Sequence, residues 1–198
     1  MSMSARTVDI DIEKPATEAV EMAVSVLLGG GLVVYPSDTV YGLLCPAAMQ
    51  HSVRRVGRLK GYAEEKPFIL LVPSIEAASI FSKPVPGALE MMKASWPGPV
   101  TLVLPASDRA PSWVCAADGT VALRVPSDPF SVRVLESIMP LVTTSANLRG
   151  GIEPLGLDEV SLKIASGVDL MLDGGKLARR KASTMIKITP EGQEVLRP

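Results

Sequence analysis

The chain has 198 residues, of which 47% are hydrophobic and 21% charged, and its formal net charge at pH 7 is -1. This composition indicates a soluble globular protein, and the length suits a single domain over 1–198. It excludes a disordered chain and a domain that mainly coats nucleic acid, because such domains are strongly basic. No apolar run could span a bilayer and the first residues lack a signal-peptide pattern, so we expect a cytoplasmic protein.

Apolar periodicity, with glycine and proline as breaks, predicts the secondary structure. In chain order the predicted elements are strand Thr7–Ile12, helix Pro15–Leu28, strands Leu32–Tyr35 and Val40–Leu44, helix His51–Lys60, strand Phe68–Val72, helices Ser74–Phe81 and Pro86–Ser95, strands Val100–Leu104 and Val121–Val125, helix Asp128–Ile138, strand Leu141–Thr144, helix Asp158–Ile164, strand Leu170–Leu172, and a terminal hairpin of Met185–Ile188 and Glu194–Leu196. Strands and helices alternate, but several strands follow one another directly. The predicted class is therefore α/β with a mixed sheet, not a regular doubly wound fold.

The two cysteines, Cys45 and Cys115, are far apart in sequence and form no CxxC pair. We expect them to be small buried apolar residues in a reducing compartment. Together with the single histidine, His51, they cannot form a closed structural zinc site, and no metal-binding residues are predicted.

Residues 36–43, Pro-Ser-Asp-Thr-Val-Tyr-Gly-Leu, are the first polar segment and lie between two predicted strands. Their hydroxyl groups and carboxylate can present hydrogen-bonding partners to a polar ligand. Serine and aspartate also favour turns, so a plain turn is the alternative.

Residues 60–67, Lys-Gly-Tyr-Ala-Glu-Glu-Lys-Pro, follow a helix and precede a buried strand. Lysine can meet a phosphate, and glycine lets backbone N–H groups approach it. The segment is not a Walker A loop, since the Gly-Lys-Ser/Thr ending is missing, and no dinucleotide fingerprint is present elsewhere. A solvated loop with ordinary surface charges is the alternative.

Residues 143–147, Thr-Thr-Ser-Ala-Asn, directly follow an apolar strand, where α/β sheets often bind ligands. Ser145 is not a credible hydrolase nucleophile, because it lacks the Gly-x-Ser-x-Gly elbow and His51 is the only histidine available as a base. A helix N-cap is the alternative.

Two late elements, Ala182-Ser183-Thr184 and Leu196-Arg197-Pro198, form the fourth candidate segment. The alternative is that Arg197 is a dispensable surface residue, as arginines near a chain end ordinarily are. A basic cluster precedes them. It comprises Lys176, Arg179, Arg180 and Lys181, and could touch RNA phosphates or be a solvated loop.

These segments, in this order, resemble the YrdC family of threonylcarbamoyl-AMP synthases. The matching motifs are 36–43, 96–101 (Trp-Pro-Gly-Pro-Val-Thr), 121–126 (Val-Ala-Leu-Arg-Val-Pro), 145–147 (Ser-Ala-Asn), and the closing pair 183–184 and 196–198. They extend over nearly the whole chain, from about Gly30 to Pro198.

The resemblance implies a twisted mixed parallel and antiparallel sheet with flanking helices around a basic concave cavity. It implies that L-threonine is bound by Thr39, Arg124, Thr143 and Ser183. It implies that ATP is bound by Lys60, Tyr62, Lys66, Thr120, Ser145, Asn147 and Arg197. Lys60 is the expected catalytic residue, Mg²⁺ is expected to accompany ATP, and a guanidinium such as that of Arg124 suits a carboxylate.

The implied activity joins L-threonine, bicarbonate and ATP into threonylcarbamoyl adenylate for a tRNA modification, with tRNA threonylcarbamoyl-transfer proteins as downstream partners. The sequence departs from the family where Tyr62 replaces the arginine of Lys-x-Arg, and Tyr62 carries no positive charge. A diverged relative that binds nucleotide is therefore one alternative. Weak binding of tRNA or double-stranded RNA in a maturation role is another, and no membrane association is expected.

Overall fold

The computed structural model describes residues 5–62, 66–178 and 181–198. The strands are β1 (Arg6–Asp9), β2 (Val33–Pro36), β3 (Tyr41–Pro46), β4 (Ile69–Leu71), β5 (Val100–Pro105), β6 (Thr120–Arg124), β7 (Leu141–Ser145), β8 (Leu170–Asp173), β9 (Thr184–Thr189) and β10 (Gly192–Arg197). The α-helices are α1 (Thr17–Leu28), α2 (Gln50–Lys60), α3 (Ile75–Phe81), α4 (Ala88–Ser95), α5 (Pro129–Ser137) and α6 (Leu162–Ala165). Short 3-10 turns occupy Ser112–Val114 and Leu157–Glu159.

All the described strands belong to one sheet with the order β1-β8-β2-β3-β7-β4-β6-β5-β9-β10. The pairs β1/β8, β2/β8, β4/β6 and β5/β9 are parallel, whereas β2/β3, β3/β7, β4/β7, β5/β6 and β9/β10 are antiparallel. The predicted mixed sheet, the central position of β4 and the terminal hairpin are therefore confirmed.

Helices cover both faces of the sheet, and the apolar residues of the strands divide between them. On one face α1 and α5 pack together over Val33, Tyr35 and Leu141. On the other face α2, α3 and α4 cover a larger cluster that includes Val34 and Leu43. Successive residues of a strand point to opposite faces, which is why neighbours such as Val33 and Val34 belong to different clusters.

One predicted element is wrong: Asp158–Ile164 is not a continuous helix. The 3-10 turn Leu157–Glu159 ends at Val160, and Ser161 then starts α6 by accepting a hydrogen bond from the Ile164 N–H. Serine competes for backbone groups at helix starts, so Ser161 divides the segment into two short pieces.

Two helix boundaries follow the local signals in the sequence. Asp128 caps α5 through a 2.7 Å hydrogen bond from the Ser131 N–H to Oδ1. At the end of α2, Gly61 has a φ of 78°, a conformation that favours glycine and allows the chain to turn out of the helix. Directly after this turn, the Tyr62 N–H donates to the Gly57 carbonyl at 3.0 Å, whereas residues 63–65 of the second polar segment lie outside the described residues.

Cys45 is buried, Cys115 is half-buried, and both are free thiols. Over the described ranges, no group of three or more His, Cys, Asp and Glu side chains could hold a metal ion, and no helix is long and apolar enough to cross a membrane.

Candidate active site

A small polar cavity of about 70 Å³ lies over one face of the sheet. Its hydroxyl groups belong to Tyr35, Ser37, Thr39, Thr143, Thr144, Ser145 and Ser183, and its charged groups to Arg124, Glu153 and Arg197. All four predicted threonine-binding residues therefore line one cavity, together with Ser145 and Arg197 from the predicted ATP set. We call it the polar cavity.

Strand register explains how distant segments meet there. Thr143 of β7, Ile69 of β4 and Ala122 of β6 form one row across the sheet, and Arg124 lies two residues beyond Ala122 on the same face. Thr143, Thr144 and Ser145 form the carboxyl end of β7 and line the cavity, as expected for a site at the end of a strand. Because β7 is antiparallel to β4, this end of β7 lies beside Ile69 at the start of β4.

Arg124 is a buried cation with fixed partners. Its Nε donates to the Gly98 carbonyl at 2.9 Å, and its Nη2 donates to Asp38 Oδ1 at 2.5 Å. The second oxygen of Asp38 accepts hydrogen bonds from the Ser127 Oγ and N–H, at 2.8 and 3.3 Å. The guanidinium is thus held at two points while its side chain lines the polar cavity.

The 36–43 segment is both a turn and part of the site. Ser37 Oγ accepts from the Thr39 and Val40 N–H groups and donates to the Val40 carbonyl at 2.6 Å. This tight turn holds Thr39, which is 5% exposed, against the cavity. The turn interpretation and the ligand interpretation are therefore compatible here.

Ser183 connects the threonine and ATP assignments. Its hydroxyl is 2.9 Å from Thr101 Oγ1, and Arg197 donates from Nε to the Ser183 carbonyl and from Nη2 to Ser183 Oγ. Arg197 directly precedes Pro198, and these bonds hold it beside the cavity. It is therefore half-buried and not a freely exposed surface arginine.

Lys60 lies deeper than a phosphate ligand would require. It is 3% exposed, and its ammonium donates to the carbonyl of Ser145 at 2.6 Å, the carbonyl of Asn147 at 2.9 Å and Asn147 Oδ1 at 3.2 Å. Three acceptors match the three N–H donors of lysine. Burial lowers the Lys60 pKa to about 8, and the negative charge of Glu153 acts in the opposite direction.

The Ser-Ala-Asn segment is a turn held by Lys60, not a helix start. Ser145 Oγ donates to Asn147 Oδ1 at 2.6 Å, and Asn147 Nδ2 donates to the Gly151 carbonyl. No helix begins at this segment, which lies within the described range 66–178, so the N-cap alternative is wrong. Ser145 lines the polar cavity, whereas Asn147 stabilises the turn behind it.

Five of the seven predicted ATP residues lie outside the lining of the polar cavity: Lys60, Tyr62, Lys66, Thr120 and Asn147. Tyr62 and Lys66 line a separate cavity of about 780 Å³ beside α2, together with Arg54, Arg58 and Trp113. The volume of this cavity exceeds that of the polar cavity, but it contains none of the threonine-binding set. Burial raises the Tyr62 pKa, while a hydrogen bond with Thr144, which lines the polar cavity, acts to lower it.

Thr120 lines a third cavity, of about 340 Å³, together with Asp118 and Lys187. Its Oγ1 donates to Asp118 Oδ1 at 2.7 Å. Ile69 lines both this cavity and the polar cavity, so the two are adjacent.

In the basic cluster, Lys176 pairs with Glu159 at 3.4 Å on the surface. Lys181 lines an outer cavity of about 420 Å³ with Asp38 and Ser127. Arg179 and Arg180 lie outside the described residues.

Sequence reasoning assigned no role to Glu153, Ser127 or Tyr35, and it treated the Asp38 carboxylate only as a hydrogen-bonding partner for a ligand. Asp38 was visible within the first polar segment, but its partner Arg124 is 86 residues away. No sequence pattern indicated Glu153, because it lies in an irregular loop and is brought to the cavity only by the tertiary fold. In the sequence, Tyr35 is indistinguishable from the apolar residues of its strand. In the structure, burial raises the pKa of its hydroxyl well above the usual range.

A sheet-floored cavity with two guanidinium groups and a set of hydroxyl groups has the lining that suits small anionic ligands. The chain belongs to the Sua5/YciO/YrdC family, whose model, described as telomere recombination, matches residues 25–198. The resemblance seen in the motifs is thereby confirmed.

Two curated relatives show the extent of the similarity. A threonylcarbamoyl-AMP synthase of Pyrococcus abyssi is 32% identical over 195 residues, covering 97% of this chain and 57% of its own length. A threonylcarbamoyl-AMP synthase of Halorhodospira halophila is 35% identical over 157 residues, covering 78% of this chain and 82% of its own. The chain thus spans little more than half of the archaeal relative.

Solved structures confirm the fold. P. abyssi Sua5 complexed with L-threonine aligns at a TM-score of 0.90 with 31% identity, over 98% of this chain and 57% of that one. Escherichia coli YciO aligns at a TM-score of 0.88 with 27% identity, over 98% of this chain and 95% of that one. The mixed sheet with flanking helices is therefore the fold of this family.

Proposed function

We propose that the protein is an L-threonylcarbamoyladenylate synthase, which forms threonylcarbamoyl-AMP and pyrophosphate from L-threonine, bicarbonate and ATP. One observation carries the proposal: Thr39, Arg124, Thr143 and Ser183, from four separate segments, line a single cavity. The related P. abyssi protein, whose crystal structure contains L-threonine, has the same fold over almost this entire chain.

In this proposal Arg124 binds the carboxylate of L-threonine, because a planar guanidinium can donate to both oxygens at once. The hydroxyl groups of Thr39, Thr143 and Ser183 surround the rest of the amino acid. The threonine hydroxyl is a donor and an acceptor, so it can pair with a lining of hydroxyl groups better than an apolar side chain of equal size.

The reaction requires no nucleophile from the protein. The amine of threonine, after losing a proton, adds to the carbon of bicarbonate, and water leaves to give a carbamate. A carbamate oxygen then attacks the α-phosphorus of ATP, and the bond from that phosphorus to the bridging oxygen breaks to release pyrophosphate. The chain's contribution is to hold two anionic reactants together and to offset their repulsion with Arg124 and Arg197.

For ATP, Ser145 and Arg197 are the assigned residues that line the polar cavity. Thr120 lines an adjacent cavity, and Tyr62 and Lys66 approach from the α2 side. Lys60 and Asn147 support the turn that carries Ser145. In this proposal the nucleotide extends from the polar cavity toward Thr120, Tyr62 and Lys66.

The proposal includes Mg²⁺ as a companion of ATP. The described residues contain no cluster of three or more metal-binding side chains, and Glu153 is the carboxylate among the residues that line the polar cavity. This donor set fits an ion bound mainly by triphosphate oxygens, for which Glu153 would be the protein ligand. When bound, Mg²⁺ would offset the charge of the triphosphate.

We further propose that the protein acts in the cytoplasm and supplies its adenylate to tRNA threonylcarbamoyl-transfer proteins. A diverged relative that binds nucleotide or double-stranded RNA without this activity is the second candidate. It is favoured by Tyr62 in place of the family arginine, and by Arg54, Arg58 and Lys66 around the cavity beside α2. Salt dependence of tRNA binding tests it, since a steep, sequence-independent fall in affinity indicates phosphate contacts alone.

The main test is pyrophosphate release from ATP, with L-threonine or bicarbonate omitted in turn and the adenylate identified by mass. Release that requires both and yields threonylcarbamoyl adenylate supports the proposal; ATP binding without that product would reject it. Thr143→Val removes a cavity hydroxyl at nearly constant shape and should raise the KM for L-threonine. Thr189→Val, in the terminal hairpin and away from the cavity, is the matched control.

A further inference from the structure

The ion pair between Arg124 and Asp38 is the most deeply buried one described. Nη2 of Arg124 lies 2.5 Å from Asp38 Oδ1, and the two side chains are 6% and 8% exposed. Burying two charges carries a desolvation cost that attraction alone often fails to recover. A pair retained under these conditions therefore invites a functional explanation.

Both ends of the pair are fixed by further hydrogen bonds. Asp38 Oδ2 accepts from Ser127 Oγ at 2.8 Å and from the Ser127 N–H at 3.3 Å, so both carboxylate oxygens are engaged. Nε of Arg124 donates to the Gly98 carbonyl at 2.9 Å. Because a guanidinium is rigid and planar, contacts at Nε and Nη2 fix the direction of its remaining N–H groups.

The two members of the pair face different cavities. Arg124 lines the polar cavity, whereas Asp38 is absent from its lining and lines the outer cavity of about 420 Å³ with Ser127 and Lys181. Thr39 and Ala182 line both cavities and form the wall between them. Asp38 thus contacts Arg124 from the side of the outer cavity, not from the side of the polar cavity.

We propose that Asp38, held by Ser127, is a positioning residue that orients Arg124 for two-point binding of the substrate carboxylate. This inference rests on the proposed function. Two parallel N–H···O bonds to a carboxylate require the guanidinium plane to match the plane of the carboxylate. Asp38 occupies one Nη2 donor, and in this inference the remaining Nη1 and Nη2 donors bind the substrate carboxylate. Without its charge, the guanidinium loses one of its two fixed contacts and can rotate.

The first test is Asp38→Asn, which keeps the shape of the side chain and removes its charge. We expect the KM for L-threonine in pyrophosphate release to rise about tenfold or more, while the KM for ATP changes less than about twofold. Asp169→Asn is the matched control, because Asp169 also pairs with an arginine, Arg55, but far from the cavity. An unchanged or lower KM for L-threonine in Asp38→Asn would overturn the inference.

A second test separates positioning from general support of the fold. In Asp38→Ala, formate added at millimolar concentration should restore L-threonine affinity, since the outer cavity gives it access to the Arg124 guanidinium. Ser127→Ala keeps the ion pair and should raise the KM several-fold in the same direction, so it tests the inference if the Asp38 variants fail to fold. No rescue by formate together with no effect of Ser127→Ala would also overturn it.

L-threonine binding by calorimetry distinguishes this inference from the proposed function. A wild-type protein that binds L-threonine but releases no pyrophosphate would reject the synthase activity and still allow the Asp38 comparison by affinity. A wild-type protein with no affinity for L-threonine would reject both. An active wild type with an Asp38→Asn variant of equal affinity would reject the positioning role alone.

Discussion

Asp128 provides a test of the charges behind the polar cavity. It is buried at the start of α5, with Oδ1 bonded to the Ser131 N–H and Oδ2 without a hydrogen-bond partner among the described residues. Burial, aided by the nearby negative charge of Asp38, raises the pKa of Asp128 from its ordinary 3.8 to about 6, while Arg124 acts in the opposite direction. Replacement with asparagine keeps a capping oxygen and removes the charge.

The sign of the effect follows from the direction of the pKa change. The folded protein binds the Asp128 proton more tightly than the unfolded chain does, so this stabilisation is fully present below about pH 4 and is lost as the pH rises through 6. At about 1.4 kcal/mol for each tenfold change in proton affinity, the full loss is about 3 kcal/mol. Relative to wild type, Asp128→Asn should therefore gain about 2 kcal/mol between pH 4 and pH 7.

Urea unfolding followed by the fluorescence of Trp96 and Trp113, at pH values from 4 to 7, measures this difference. At this chain length the gain corresponds to a relative rise in Tm of roughly 4–8 °C. Asp118→Asn is the control, because a hydrogen bond from Lys187 holds the Asp118 pKa at about 2 and its contribution is nearly constant over this range. A constant difference between Asp128→Asn and wild type would refute the reasoning about buried charge.

Three further changes test the assigned cations. Lys60→Met should lower the free energy of unfolding by about 2–4 kcal/mol, because buried acceptors of the Ser-Ala-Asn turn lose their donor. A variant as stable as wild type in urea would contradict this expectation. Arg124→Lys should raise the KM for L-threonine about tenfold with little change for ATP, since lysine lacks the planar fork; equal effects on both substrates would contradict it. Arg197→Gln should weaken ATP binding about tenfold, as measured by calorimetry. The variant loses a positive charge and the guanidinium that donates hydrogen bonds to Ser183. An unchanged affinity for ATP would remove Arg197 from the site.

Most of the fold could be predicted from local sequence patterns. The apolar runs that become β2 and β7, and the aspartate–proline start of α5, depend on burial and backbone geometry within a few residues. The order of the strands could not be derived in this way, since β8 lies between β1 and β2 although it follows them by more than 130 residues. The error at Ser161 has a local cause, because periodicity continued through a residue that starts a new helix.

The site was predictable in its residue types but not in its contacts. The motif resemblance indicated Arg124 and Ser183, and both line the polar cavity. It could not reveal that Arg124 is already paired with Asp38, because that contact joins residues 86 positions apart. Nor could it reveal that all three Lys60 donors are occupied, since two of their acceptors are backbone carbonyl groups, which leave no mark in a sequence.

The three assigned cations share one physical feature: each is already oriented by fixed acceptors in the folded chain. Arg124 is held by Asp38 and Gly98, Arg197 by Ser183, and Lys60 by the Ser-Ala-Asn turn. Lys60 thereby fixes the turn that carries Ser145, while Arg124 and Arg197 line the polar cavity. Donors of these two arginines that need no rearrangement stabilise developing charge better than mobile ones, because their orientation is set during folding. Two negatively charged reactants could then meet over the sheet without first having to organise the groups that offset their repulsion. We therefore expect substitutions in the hydrogen-bonding network that holds these cations, rather than in a single reactive side chain, to cause loss of activity.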